Sequence, residues 1–208
     1  MISPETRKAV ALTFDDGPSP YTDRLLDIFA QYGAKGTFLV MGERIEERAS
    51  TLKRAADEGH EIGNHTFSHG PLNYMTDEET VRELTLTGDM IKEITGKDAR
   101  FVRPPYGAFD DRVCERAKEL SLSLLCWSLD TADWATEDPE KVFDAAAGKA
   151  EDGDIILFHD SQRSTVDAME KLIPRLIGDG FELLTVPQLL ERRNIPLVSG
   201  QVYYDAKI

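Results

Sequence analysis

His65-Thr66-Phe67-Ser68-His69 sets two imidazoles four residues apart, and these are two of only four histidines in the chain. On a helical turn that spacing points both rings to one side, where they can grip a single ion. Such a pair needs a third ligand. Thr13-Phe14-Asp15-Asp16-Gly17-Pro18 offers two adjacent carboxylates at the end of an apolar run. One can join the histidines while the other stays free to take a proton from a water, because successive strand side chains point in different directions. A His₂Asp set suits Zn²⁺ and leaves coordination positions open, as a catalytic site requires. Standing alone, Asp-Asp-Gly-Pro is also an ordinary solvated turn at a strand exit.

Three further strings carry unusual polar groups. In Arg103-Pro104-Pro105-Tyr106-Gly107 the prolines stiffen the backbone, and Arg103 can hold a carboxylate through a bidentate pair. In Asp130-Thr131-Ala132-Asp133-Trp134 the indole offers either a flat face for a sugar ring or a core aromatic. Leu157-Phe158-His159-Asp160 places a lone histidine at a strand end. Beside a metal and a carboxylate, His159 becomes a candidate general acid. His60, in a Glu58-Gly59-His60-Glu61 turn between helix and strand, reads as uninvolved.

These strings need elements to position them. Apolar or β-branched runs at Ala9–Phe14, Gly36–Met41, His60–Gly63, Arg100–Arg103, Ser123–Ser128, Asp154–Phe158 and Phe181–Val186 read as strands. Several are almost continuously apolar, which suits a parallel sheet covered on both faces. Helical periodicity fills the gaps over Tyr21–Tyr32, Glu43–Glu58, Thr76–Thr95, Asp110–Leu120, Pro139–Ala150, Ser164–Ile177 and Pro187–Arg193. Thr76-Asp77-Glu78-Glu79 is a capping box, and Pro174 is expected to bend its helix. Seven strand-then-helix units fit an α/β barrel or an open doubly wound sheet. The polar strings then stand at the ends of five different strands, where such folds place their working residues. No linker divides the chain, so residues 1–208 read as one domain with a motif-bearing core over 9–186. The tail 194–208 is ambiguous.

Composition removes other functions. Among 208 residues, 24 Lys+Arg against 38 Asp+Glu give a formal charge of −14. That charge repels phosphate backbones, so nucleic acid is excluded as a partner. No apolar run reaches the ~18 residues of a membrane span. The first eight residues lack the apolar run of a signal peptide, which leaves location open. Cys114 and Cys126 match no ligand spacing and read as small apolar space-fillers.

The five strings T-F-D-D-G-P, H-T-F-S-H, R-P-P-Y-G, D-T-A-D-W and L-F-H-D, in this order from Ala9 to about Val186, resemble the polysaccharide deacetylases of carbohydrate esterase family 4. The resemblance is nearest to the peptidoglycan N-acetylglucosamine deacetylases. It implies a distorted (β/α)₇ barrel in one domain. Asp16, His65 and His69 would bind the divalent metal, Zn²⁺ with Co²⁺ or Ni²⁺ as alternatives, and Asp15 would be the catalytic base. The backbone N–H of Tyr106 would stabilise the oxyanion, and His159 would protonate the leaving amine. Asp130 would orient and charge His159, Arg103 would position Asp15, and Trp134 and Leu157 would wall the acetyl pocket. The implied partner is a polysaccharide, met by a monomer at the cell wall or outside the cell. The same site would also serve O-deacetylation of acetylxylan. A sugar-binding module that has lost catalysis stands as a further alternative.

Overall fold

A computed structural model describes residues 7–207. The N-terminal residues before Arg7, read above for a leader, lie outside the described residues. The sheet strands are β1 (Lys8–Gly17), β2 (Thr37–Val40), β3 (Glu61–Asn64), β4 (Phe101–Val102), β5 (Ser123–Leu125), β6 (Leu129–Asp130), β7 (Ile155–His159), β8 (Phe181–Leu183) and β9 (Val202–Tyr203). The helices are α1 (Thr22–Tyr32), α2 (Gly42–Ile45), α3 (Ala49–Asp57), α4 (Asp77–Thr95), α5 (Asp111–Glu119), α6 (Pro139–Ala146), α7 (Arg163–Gly178) and α8 (Val186–Arg192). The strands form one sheet in the order β6-β7-β1-β2-β3-β4-β5-β9, with β8 pairing the start of β1. Every ladder between these strands is parallel. This is the curled sheet with flanking helices expected of a distorted (β/α)₇ barrel.

Strand β1 explains why its apolar run is unbroken. Val10, Leu12 and Phe14 belong to the outer layer with α1 and α7 residues such as Phe29, Met169 and Leu172. Ala9 and Ala11 belong to a separate inner cluster with Leu39, Phe101, Leu125 and Ile155. Phe14 stands in register with Phe38 on β2 and Phe158 on β7. The three rings stack with centroids 5.4 and 5.6 Å apart, and Phe29 meets Phe14 edge-on at 5.7 Å. Alternation therefore carries Thr13 and Asp15 to the inner side, at the carboxyl end of the strand. The inner face turns from alanine to polar side chains along one strand, and the polar end is the site.

Three expectations change. The run read as one helix over Glu43–Glu58 is broken: α2 is one turn, a 3₁₀ turn follows at Glu46–Arg48, and α3 begins at Ala49. Arg48 (φ −128°, ψ 34°) departs from helical geometry at the junction, which the apolar spacing alone does not register. Two short strands, β6 and β9, were not foreseen. The ambiguous tail is ordered structure: β9 extends the sheet beyond β5, and Asp205 bridges Asp154 at the foot of β7. Tyr203 and Ala206 are buried in the inner cluster. The Thr76 capping box opens α4 as read, with Glu79 N–H on the Thr76 hydroxyl and the Glu79 carboxylate on Thr76 N–H. Pro174 lies within the unbroken α7. No helix among the described residues is long and apolar enough to cross a membrane.

Candidate active site

The two adjacent aspartates reach the same side by a device that strand alternation does not supply. The β1–β2 register slips between Asp15 and Gly17, so Asp16 is an extra residue in a bulge, with a left-handed φ of 69°. A bulge re-aims a side chain that would otherwise face away. Gly17 is needed because a Cβ there would lie 2.6 Å from Asp160 Oδ2. Asp160 is fully buried behind this turn, accepts the Thr22 hydroxyl, and is pushed up to about 7 by that burial. The Thr22 hydrogen bond opposes the shift, and the Asp16 and Asp15 charges add to it.

The histidine pair is also not helical. It lies in the irregular segment after β3, where Thr66 (φ 65°) and His69 (φ 60°) both adopt left-handed backbone. Among the described residues, four of the seven non-glycine residues with positive φ are Asp16, Thr66, His69 and Tyr106, so the unfavourable backbone gathers at one place. Hydrogen bonds hold the segment there. Asn64 Oδ1 accepts Thr66 N–H at 2.8 Å, and Thr66 Oγ1 accepts His69 N–H at 3.0 Å. From α4, Glu83 accepts Phe67 N–H, Ser68 N–H and the Ser68 hydroxyl at 2.9, 2.8 and 2.9 Å.

Asp16, His65 and His69 each offer a ligand atom, all within 4.8 Å of one another. Asp16 Oδ1 is 3.3 Å from His69 Nε2 and 3.5 Å from His65 Nε2. That oxygen is buried and has no hydrogen-bond partner. A buried, unpartnered carboxylate oxygen facing two imidazole nitrogens fits a cation. His65 Nδ1 is bound to the Arg103 carbonyl at 2.7 Å, which fixes the ring and leaves Nε2 toward Asp16. Burial lowers the His65 pKa against the pull of Asp15 and Asp16, so the ring is neutral, as a metal ligand must be. The donor set therefore fits a divalent metal.

Arg103 is fully buried and uses its whole fork. Nη1 donates to Asp15 Oδ1 and to the Thr13 hydroxyl, both at 2.8 Å. Nη2 donates to Cys126 O at 2.8 Å, and Nε to Leu125 O at 3.1 Å. The Asp15 contact is single rather than bidentate. The Asp15 carboxylate, 3% exposed, is thereby held beside the cradle, with Oδ2 3.7 Å from His65 Nε2.

His159 is paired with a different aspartate from the one expected. Asp133 Oδ1 lies 2.7 Å from His159 Nδ1, and Asp133 Oδ2 accepts His159 N–H at 2.7 Å and the Thr165 hydroxyl at 2.5 Å. Asp133 is fully buried. Asp130 is exposed and turned into its own loop, where Oδ1 accepts Ala132 N–H at 2.8 Å. The cause is the left-handed Ala132 (φ 50°), which starts a 3₁₀ turn at Asp133. Burial lowers the His159 pKa, but the Asp133 hydrogen bond and charge, with Asp15 and Asp16 behind them, outweigh it and raise it to about 9.

Asp15, Asp16, His65, His69, Tyr106, Asp130, Trp134, Leu157 and His159 all line one cavity of about 490 Å³. Pro104 and Trp127 complete the lining. Trp127, unremarked in the sequence, lies over the Arg103 guanidinium at 5.6 Å. Trp134 is 62% exposed, so it is not a core aromatic, and Tyr106 is 73% exposed. His60 is buried between Phe29 and Phe38, with Nδ1 accepting Gly36 N–H, and burial lowers its pKa to about 4. It is not among the residues that line this cavity. Cys114 and Cys126 are free thiols.

Replacing Glu83 by Ala should loosen the histidine segment. Affinity for Zn²⁺, read by chelator competition, is expected to fall roughly 10–100-fold with the fold intact. An unchanged affinity would mean that the three hydrogen bonds do not preorganise the ligands.

A parallel α/β sheet whose strand ends present a His₂Asp cradle, a free carboxylate and a charged histidine defines a metal-dependent hydrolase site. The model of the polysaccharide deacetylase family matches residues 3–125, and the chain belongs to that family. It is 37% identical over 186 residues to the peptidoglycan-N-acetylmuramic acid deacetylase PdaC of Bacillus subtilis, covering 89% of this chain and 39% of that protein. It is 36% identical over 197 residues to a peptidoglycan-N-acetylglucosamine deacetylase of Bacillus cereus, covering 92% of each. Among solved structures, a T48 deacetylase with substrate superposes with a TM-score of 0.91 at 37% identity, covering 98% of this chain and all of that one. The chain thus spans well under half of one relative and nearly all of the others.

Proposed function

We propose that this chain removes acetyl groups from an N-acetylated polysaccharide, releasing acetate, with N-acetylglucosamine of peptidoglycan or chitin-type oligomers as the substrate. The observation that carries it is a pair of register partners on β1 and β7 that line one cavity: Asp15 held by Arg103, and His159 held by Asp133. Asp16, His65 and His69 would hold the metal, Zn²⁺ by the chemistry of the donors. When bound, a divalent ion there supplies Lewis-acid chemistry, polarising an acyl oxygen and bringing the pKa of water toward neutrality.

Asp15 takes the proton of the attacking water as its oxygen bonds to the acetamide carbon. The Tyr106 N–H serves as an oxyanion donor, a role worth roughly 3–4 kcal/mol in other enzymes. As the C–N bond breaks, His159 gives its proton to the nitrogen. An amine departs poorly unless protonated, and a histidine raised to about 9 is charged at neutral pH. That favours amide over ester substrates. Trp134 and Leu157 wall the space for the acetyl methyl. Asp130, unbonded to His159, has no part in these proton transfers. A wall polymer as substrate fits an enzyme that is secreted or associated with the cell wall.

Acetate release from chitooligosaccharides, peptidoglycan and acetylxylan tests the reading. Release from the first two, lost on chelation and restored by Zn²⁺ or Co²⁺, is expected. Release from acetylxylan alone would replace it with the esterase reading.

The pair on His159 sets an alkaline limit. Its raised pKa means that the donor is charged below about 9 and lost above it. A cation held by Asp16, His65 and His69 would offset the Asp15 and Asp16 contributions and lower this limb, leaving that of Asp133. Asp133→Asn should move the limb of kcat further down and lower kcat at pH 8. The same sign governs stability: the pair stabilises fully below pH 6.5 and this is lost as pH rises through about 9. An alkaline limb indifferent to Asp133→Asn would contradict the assignment.

A further inference from the structure

The charged groups of the cavity are nearly all committed. Asp15 is bound to Arg103, Asp133 to His159 and Thr165, and Asp16 faces the two ligand histidines. Asp130 is the exception. It lines the same cavity, is exposed, and forms no ion pair among the described residues. Its orientation is nevertheless fixed: Oδ1 accepts Ala132 N–H at 2.8 Å, and the residue sits on β6 in register with Leu157. Leu157 is a wall of the acetyl space, so this charge stands one strand away from the reacting group. No lysine or arginine is among the cavity-lining residues, and Arg103 lies fully buried with every arm engaged.

We propose that Asp130 is a specificity-determining residue, which makes this cleft favour a glycan whose neighbouring sugar carries an ammonium group and disfavour one whose neighbour carries a carboxylate. The inference rests on the deacetylase reading above and names the substrate class within it. A fixed negative charge that no lysine or arginine of the cavity pairs attracts a glucosamine ammonium and repels the lactyl carboxylate of N-acetylmuramic acid. Deacetylation converts a neutral acetamide into an amine that is protonated near neutrality. Each turnover therefore makes a better neighbour for the next, and the deacetylated residues accumulate in blocks.

Three tetramers test this: chitotetraose, the same oligomer with one glucosamine beside an N-acetylglucosamine, and one alternating N-acetylglucosamine with N-acetylmuramic acid. The readout is the ratio of kcat/KM values for acetate release from N-acetylglucosamine at low salt. The parent protein should prefer the glucosamine tetramer over chitotetraose and chitotetraose over the muramic one. Asp130→Asn keeps the acceptor for Ala132 N–H and removes only the charge. It should shrink both ratios roughly three- to tenfold, the effect of one charge in a wet cleft. Asp130→Lys should invert them, and added salt should flatten the parent's ratios toward those of Asp130→Asn. Ratios equal in parent and Asp130→Asn would overturn the proposal while leaving the deacetylase reading intact. Absence of acetate from all three tetramers with the metal-loaded parent would overturn the deacetylase reading itself.

Discussion

Asp15→Asn should lower kcat for acetate release by about 10²–10⁴-fold, the range for losing a positioned general base, and leave the metal in place. Asparagine matches the shape, and its Oδ1 can still accept Arg103 Nη1–H, now 2.8 Å from the carboxylate. What goes is the capacity to take a proton from the attacking water. The cradle of Asp16, His65 and His69 does not include residue 15. Acetate release and metal content of the same preparation check both halves. A fall of less than tenfold would remove Asp15 from the role of base. A protein with no turnover before substitution would return the chain to the sugar-binding alternative.

Arg103→Leu should cost about 3–5 kcal/mol of stability, the usual penalty for leaving one member of a buried ion pair alone. At roughly 2–4 °C per kcal/mol for a chain of this size, Tm should drop by about 10 °C. The fork satisfies a buried carboxylate, a buried hydroxyl and two carbonyls at once. Leucine satisfies none. Lysine keeps the charge but cannot span four acceptors in one plane, so Arg103→Lys should recover only part of the loss. Removing both charges in Arg103→Leu/Asp15→Leu should be less destabilising than the sum of the single changes, the signature of a coupled pair. Equal and additive losses would show that Arg103 supports the strand ends without holding the base.

The strands were legible because both faces of this sheet are buried, which makes the apolar runs continuous. The five polar strings were legible because they interrupt those runs at one end. What was hidden lies in the backbone between them. Asp15 and Asp16 share a face through a bulge, and His65 and His69 converge through two left-handed residues rather than a helical turn. Side-chain spacing looks the same in either case. The choice between Asp130 and Asp133 depends on the left-handed Ala132, a conformation that alanine does not announce. Glu83 was hidden for another reason: it acts from α4, fifteen residues past Ser68, on a helix whose charges look uniformly solvated.

Asp16, His65 and His69 are proposed to hold one divalent cation beside Asp15. Anomalous diffraction from Zn²⁺-soaked crystals, collected on both sides of the metal edge, tests it most directly. One strong peak is expected, bounded by Asp16 Oδ1 and the Nε2 atoms of His65 and His69 and absent in Asp16→Ala. A cradle that stays empty at saturating Zn²⁺, or a peak held by other residues, would contradict it.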